Sequence, residues 1–289
     1  MSSISKSWSF ILAIAGFLYG CSNEFEVDLP DYQPKLVIDG SIELGGYPVV
    51  YLTLSSGYYD PVDSASLIDI IVPTAKVAIS DGEQEEVLTL FRNTEVYPPF
   101  FYRATKLRGE VGKTYTLEVT SKGEVYSAST IIPKPLDLDS VWFEYLEDSD
   151  SLGRLWIAFE DDPLTTDYYR TFTKIENKQS RFVPIYQSVV GDSFFDRNDI
   201  EFFVLKGSET FTEVTDDLYF SKGDSISIKF CTIDEQSFNF WRTLEREQYL
   251  TGNPFGSAGN PILSNISGTA PALGVWAGYG VSRSYFIVK

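Results

Sequence analysis

The side chains that could do chemistry in this sequence are carboxylates: the chain holds 41 Asp and Glu, two cysteines and no histidine. Without an imidazole there is no Ser-His-Asp or Cys-His nucleophile system and no His-ligated zinc, and two cysteines cannot build a thiolate zinc site. Carboxylate acid/base chemistry, oxygen-ligated calcium and binding without catalysis remain. The adjacent acids Glu160, Asp161 and Asp162 could place two carboxylates across a glycosidic bond. Among so many acids such neighbours arise by chance, and Asp162-Pro163 reads better as a turn. Asp192, Asp196 and Asp199, with Asn198 between them, could offer oxygens to calcium, but their spacing is not that of an EF-hand. The expectation is therefore a non-enzymatic protein with no cofactor and no metal beyond that calcium candidate.

One cysteine has its own chemistry. Lys6 precedes the apolar run from Trp8 to Leu18, which has the length of a signal-peptide core and is too short to span a bilayer. Leu18-Tyr19-Gly20-Cys21 resembles the bacterial lipobox, so residues 1–20 read as a signal peptide and Cys21 as the lipid-modified amino terminus. The alternative is an ordinary signal peptide, or a buried strand with an incidental cysteine. Residues 21–34, which include Glu24, Glu26 and Asp28, read as a lipidated tether. Two or three acyl chains, at about 0.8 kcal/mol per buried methylene, make such an anchor effectively permanent. The net charge of −18 repels nucleic acid and anionic headgroups. With Cys21 acylated, Cys231 has no disulfide partner and reads as a small buried apolar side chain.

The elements that must position these residues are strands. Runs at 35–40, 49–54, 76–80, 86–91, 113–120 and 124–132 have strand length and β-branched or aromatic content, with Asp81-Gly82 and Lys122-Gly123 as hairpin turns. They predict an immunoglobulin-like β-sandwich over residues 35–133, without a Cys-Trp-Cys signature. Pro133-Lys134-Pro135 lacks ladder donors and marks a domain boundary. Runs at 139–146, 154–160, 168–175, 182–186, 200–205 and 224–233 predict a second β-rich domain over 136–289. Its one amphipathic helix spans 235–250, capped by Asp234, with Phe238, Trp241, Leu244 and Gln248 on one stripe and Phe240 and Tyr249 beside it. A loop-rich stretch at 251–274 reads as functional or poorly ordered, and runs at 274–280 and 283–288 as two closing strands. The fold class is all-β.

Several blocks carry a resemblance in their order and spacing: the lipobox, Leu36-Val37-Ile38-Asp39-Gly40, Val111-Gly112-Lys113-Thr114-Tyr115-Thr116-Leu117 and the Pro133 to Pro135 junction. Gly191-Asp192-Ser193-Phe194-Phe195-Asp196, Gly223-Asp224-Ser225-Ile226-Ser227-Ile228, Asn260-Pro261-Ile262-Leu263-Ser264-Asn265-Ile266 and Gly274-Val275-Trp276-Ala277-Gly278-Tyr279 continue it. Together they resemble a family of Bacteroidota outer-membrane lipoproteins classed as a domain of unknown function. One block departs from the family pattern, since Arg197 and Asn198 follow Asp196 where a glycine usually closes an aspartate-rich turn. The resemblance implies association with TonB-dependent outer-membrane receptors and no known catalytic residues. It also implies that Glu24, Glu26 and Asp28 are a surface-export signal placing the protein on the cell exterior, against the plainer reading of a soluble tether.

Loop aromatics and long loops are the remaining candidates. Tyr97, Phe100, Phe101 and Tyr102 flank Pro98-Pro99, with Tyr58 and Tyr59 before Pro61; such rings either contact a partner or cap the core. Asn253, Asn260 and Asn265 mark the long loop as a second contact region. The expected function is an accessory or binding subunit of an outer-membrane β-barrel complex, a TonB-dependent receptor or the barrel-assembly machinery. Stand-alone capture of a glycan or peptide is the alternative, and a carboxylate-dependent glycoside hydrolase a third.

Overall fold

Alternation along the strands decides what faces the core. In β7 (Thr114–Ser121) and β8 (Glu124–Ile131), Tyr115, Leu117, Val119, Tyr126 and Ala128 are buried while the Ser, Thr and Glu side chains between them are exposed. Lys122 and Gly123 both take positive φ, 51° and 86°, the two-residue turn that matches strand twist. The computed structural model describes residues 32–57, 60, 63–192, 195, 199–207, 218–250 and 261–289.

Residues 34–289 form one compact unit built from two packed β-layers in each half. In the first half, β1 (Leu36–Glu43), β2 (Val49–Leu54), β6 (Phe100–Arg103) and β5 (Thr89–Arg92) lie side by side. They pack on a sheet of β16 (Ser267–Gly268), β8, β7, β3 (Lys76–Ser80) and β4 (Glu85–Val87). Ile38, Ile42, Leu52, Ile79, Tyr115 and Leu117 fill the space between. In the second half, β12 (Val183–Gly191), β11 (Tyr168–Ile175) and β15 (Ser225–Ile233) pack on β9 (Ser140–Tyr145), β10 (Leu152–Glu160), β13 (Asp199–Val204) and β14 (Phe220–Ser221). This core holds Phe159, Tyr169, Phe220 and Phe230.

The last strand, β17 (Ala272–Ile287), belongs to both halves. Ala272 to Tyr279 run parallel to β1, and Gly280 to Ile287 run antiparallel to β15. From Gly274 to Ser282 it is buried without interruption, as expected of a strand covered on both faces. The boundary expected at Pro133 to Pro135 is thus corrected: the first sandwich is not complete at residue 133, because β16 and half of β17 close it. Trp276, fully buried, fills its core and donates its indole N–H to the Tyr115 carbonyl at 2.8 Å. The two closing runs are one strand, since Ser282 and Arg283 continue the pairing with Phe230 and Lys229.

Other elements escaped the sequence reading, among them the short strand β14, and the run at 86–91 divides into β4 and β5. Phe100–Arg103 is strand β6, pairing with β5 and β2, and Ser64–Asp69 is a short helix, α1. Helix α2 (Glu235–Leu250) starts at Asp234, whose carboxylate accepts the Ser237 N–H at 2.8 Å, a capping contact typically worth about 1 kcal/mol. Phe238, Phe240, Trp241 and Leu244 seat it on β11, β12 and β17, on the side of the sheet away from both cores.

Trp276→Ala should cost about 3–5 kcal/mol, read as a lower urea midpoint. A fragment ending at Pro135 should show no cooperative unfolding transition; a sharp one would mean that the first sandwich closes without β17.

Candidate functional site

Strand register places a row of side chains across the outer face of the first sandwich. Phe91 on β5 opposes Phe101 on β6, Tyr51 on β2 opposes Asp39 on β1, and Asp39 opposes Val275 on β17. The Phe91 and Phe101 rings stack at 5.9 Å and 18°, and Phe101 lies 5.7 Å from Tyr51. Three rings therefore lead across three strands to a carboxylate. In the next row Thr89 opposes Arg103, Arg103 opposes Val49, and Val49 opposes Ser41.

The arginines beside this row are held by rings. Arg103 lies over Phe91 at 4.4 Å and Tyr47 at 5.9 Å, and its Nε is buried without a hydrogen-bond partner. Arg108 lies over Tyr47 at 4.0 Å and donates to the Gly45 carbonyl and the Tyr47 hydroxyl, both at 2.8 Å. Neither arginine has a carboxylate partner among the described residues. The opposite outer face of this sandwich exposes Thr114, Thr116, Glu118, Ser127 and Ser129, with Val125 and Ile131 on the same side of β8. Helix α2 packs over β11, β12 and β17, beside the row of rings. Tyr51, Phe91 and Phe101 remain half-buried.

Asp39 ends the row where the two halves meet. Its side chain is exposed, yet the protein close around it strips enough solvation to raise its carboxyl pKa, and the Arg170 guanidinium opposes the rise. Burial also raises Tyr51, Asp39 adds to that effect, and Arg181 opposes it. Arg170 is itself buried, donating from Nε to Ser188 Oγ at 3.1 Å and from Nη1 to the Tyr279 hydroxyl at 3.0 Å, with the Trp241 ring 3.4 Å away. Ser188 passes the network on, its N–H reaching Glu245 Oε2 at 3.0 Å and its hydroxyl donating to the other carboxylate oxygen. Burial pushes the Tyr279 hydroxyl up to about 12 and raises Glu245. Nearby, Glu43 on β1 pairs with Lys229 at 2.7 Å and Arg283 at 3.3 Å, tying the halves by charge.

The residues singled out from sequence divide. Phe101 joins the row, and Phe100 alternates to the other side beneath Arg92, 5.7 Å from its ring. Tyr97 is 46% exposed and donates its hydroxyl to the Leu67 carbonyl at 2.7 Å. Tyr102 is corrected from contact residue to core: it is buried, accepts the Ala75 N–H at 2.9 Å and donates to Val72 O at 3.3 Å. Asn265 is half-exposed, and its amide clamps the Trp276 backbone, accepting the N–H at 3.0 Å and donating to the carbonyl at 2.8 Å. Cys21, Glu24, Glu26, Asp28, Asp196, Asn253 and Asn260 lie outside the described residues. Asp192 accepts the Asp167 N–H at 2.9 Å and Asp199 opens β13; among the described residues no group of three or more metal-ligating side chains gathers.

The acids at 160–162 do not form a pair aimed at one bond. Glu160 is exposed, Asp161 is buried accepting the Tyr169 hydroxyl, and Asp162 caps its turn through the Leu164 N–H at 3.0 Å. Burial raises Asp161 first of all, with Asp167 and Asp192 adding to it. Cys231 is buried, and that pushes its thiol up to about 12. Sequence reasoning missed Asp39, Tyr47, Tyr51, Phe91, Arg103 and Arg108 as site residues. A signal existed in the alternation Phe101, Tyr102, Arg103, which puts a ring and an arginine on one strand face.

The sequence profile of a family described as a domain of unknown function, DUF4249, matches residues 22–284. No curated protein matches the chain.

The raised Asp39 pKa has a sign that can be checked. The folded chain binds this proton more tightly than the unfolded one, so the contribution to stability is present below the ordinary carboxylate range and is lost as pH rises through the raised value. Asp39→Asn should match the wild-type urea midpoint at low pH and exceed it only slightly at neutral pH, because the side chain is exposed and solvent screens the effect. A neutral-pH loss instead would mean that attraction to Arg170 outweighs burial.

Proposed function

The chain belongs to the DUF4249 family, and on that premise we propose a non-enzymatic binding subunit that docks an outer-membrane β-barrel partner through the Phe91–Phe101–Tyr51 row. The partner is of the TonB-dependent receptor class, and lipid on Cys21 holds the subunit on the outer membrane with its folded part facing the cell exterior. The observation that carries this reading is an outer sheet face on which half-buried rings from three adjacent strands line up with arginines lying over them; Trp142, Trp156 and Phe203 with Arg154 make a second ring cluster on the other half. Aromatic and arginine side chains concentrate at protein interfaces and supply most of their energy. The lack of histidine and the separation of Glu160, Asp161 and Asp162 support binding over turnover. Leu18-Tyr19-Gly20-Cys21 after an apolar run supports the anchor, and Glu24, Glu26 and Asp28 support export to the surface.

Cys21→Ser should abolish incorporation of labelled fatty acid and release the protein from the membrane fraction; wild-type labelling would end the anchor assignment. A tagged pull-down from mildly solubilised outer membranes should return a β-barrel protein. Phe91→Ala with Phe101→Ala should weaken that recovery by about 30-fold, the equivalent of one hot spot of roughly 2 kcal/mol. The melting temperature should move little, because both rings are half-exposed. Recovery of the chain alone from wild-type cells would favour solitary ligand capture.

A further inference from the structure

We propose that the outer face of the smaller sheet in the second half is a stacking site for a neutral glycan of flat, equatorially hydroxylated sugar rings, in its simplest form a β-glucan. This goes beyond the docking reading above and lies on a different sheet from the Phe91 row. The first observation is a second row of rings set by strand register. On β10, Leu155, Ile157 and Phe159 turn into the core, which leaves Arg154, Trp156 and Ala158 on the outer face. Trp156 opposes Trp142 on β9 and Phe203 on β13, so three rings cross three adjacent strands. The row spans two strand spacings, or about 10 Å.

The second observation is geometric. The Trp142 and Trp156 planes lie 11° apart with centroids at 5.7 Å, and the Phe203 ring meets Trp156 edge-on at 5.6 Å. Parallel rings in full face contact stand about 3.5–4 Å apart. A separation of 5.7 Å is therefore an offset stack, which leaves part of each indole uncovered. Both indoles are partly exposed and Phe203 is 42% exposed. β9 pairs only with β10 among the described strands, so no further strand flanks Trp142. Trp241 and Trp276, by contrast, have packing roles, one against Arg170 and the other in the first core.

The polar groups around the row suit hydroxyls. Same-face residues along a strand repeat at about 7 Å. The rings are therefore bordered by Glu144 and Arg154 on one side, and by Ser140, Ala158 and Glu201 on the other. Glu144, Glu201 and Ser140 are exposed, and the small Ala158 between Ser140 and Glu201 leaves room beside the Trp156 ring. Trp142 donates its indole N–H to Glu144 Oε1 at 3.3 Å, which fixes that carboxylate at the ring edge. Arg154 lies over Phe203 at 4.9 Å and Tyr219 at 6.0 Å. Carboxylates only accept and a guanidinium only donates, so this border selects ligand groups that do both, as hydroxyls do. The C–H faces of an equatorially hydroxylated pyranose are apolar and cover an indole, while its hydroxyls project sideways to such a border. Arg154 opposes a basic peptide here, and the two carboxylates oppose an acidic glycan.

The test uses the full chain, solubilised in a detergent without a sugar headgroup, with cellohexaose as the probe and isothermal titration calorimetry as the readout. Binding with a dissociation constant below about 1 mM is expected. It should hold within about two-fold as salt rises from about 50 mM to about 300 mM, because the ligand is uncharged. Trp142→Ala should weaken it at least about ten-fold, and Trp142→Phe by less. Glu144→Gln with Glu201→Gln is the second variant: both side chains are exposed, so the fold is kept, and loss of the charged acceptors should weaken binding at least about three-fold. No measurable binding of cellohexaose, or unchanged affinity in either variant, would overturn the proposal. Tighter, salt-sensitive binding of a lysine–tyrosine copolymer would also overturn it, and would assign these rings to a basic protein partner instead.

Discussion

The fold hangs on one strand shared between two sandwiches. Along Ala272 to Tyr279 it must lie parallel to β1, and along Gly280 to Ile287 antiparallel to β15, so it needs close backbone approach on both sides. Gly274 has φ of +110°, and a Cβ there would stand 1.9 Å from the Ile38 carbonyl oxygen. At Gly278 and Gly280 a Cβ would meet the carbonyl oxygens of Ile131 and Pro133 at 2.2 and 2.3 Å. The small residues therefore let the Pro133 junction press onto the shared strand, and Trp276 between them anchors it in the first core. Gly40 answers on β1, where a Cβ would lie 2.7 Å from the Trp276 ring.

That arrangement has consequences for the surface. One side of β17 carries Trp276 into the first core, while Val275, Ala277 and Tyr279 point to the other side, where helix α2 covers the second half. The cover includes a buried cation without direct ion pairing: Arg170 is satisfied by two hydroxyls and an indole ring, with Glu245 and Asp39 acting at longer range. A buried guanidinium held this way is costly to lose or move, which locks helix, β11, β12 and β17 together. The same sheet side beyond the helix then presents rings from β5, β6 and β2 together with Arg103 of β6 on a rigid frame, as a binding surface requires.

Local pattern carried far in the sequence because strand alternation and helix capping act over a few residues. β2, β3 and β11 and helix α2 have the bounds read from sequence, since β-branched runs, an Asp cap and an apolar stripe are local signals. β6 was hidden because four residues after two prolines read as a loop, and only pairing with β5 and β2 makes them a strand. The same gap separates neighbours: Phe101 and Tyr102 look alike in sequence, yet one lies on the outer face and the other hydrogen-bonds in the core.

By itself the sequence determined an all-β chain, its hairpin turns, its one long helix, the exclusion of histidine chemistry and an acidic surface. Only the tertiary structure decided that the last strand completes the first sandwich, that Asn265 serves Trp276, and that rings from β5, β6 and β2 align with Asp39. The physical reason is range. Alternation and capping are settled between residues a few positions apart, whereas the Trp276 indole finds its acceptor 161 residues away and Arg283 finds Glu43 across 240. Partners at such separations are chosen by the packing of whole layers, which no local pattern encodes.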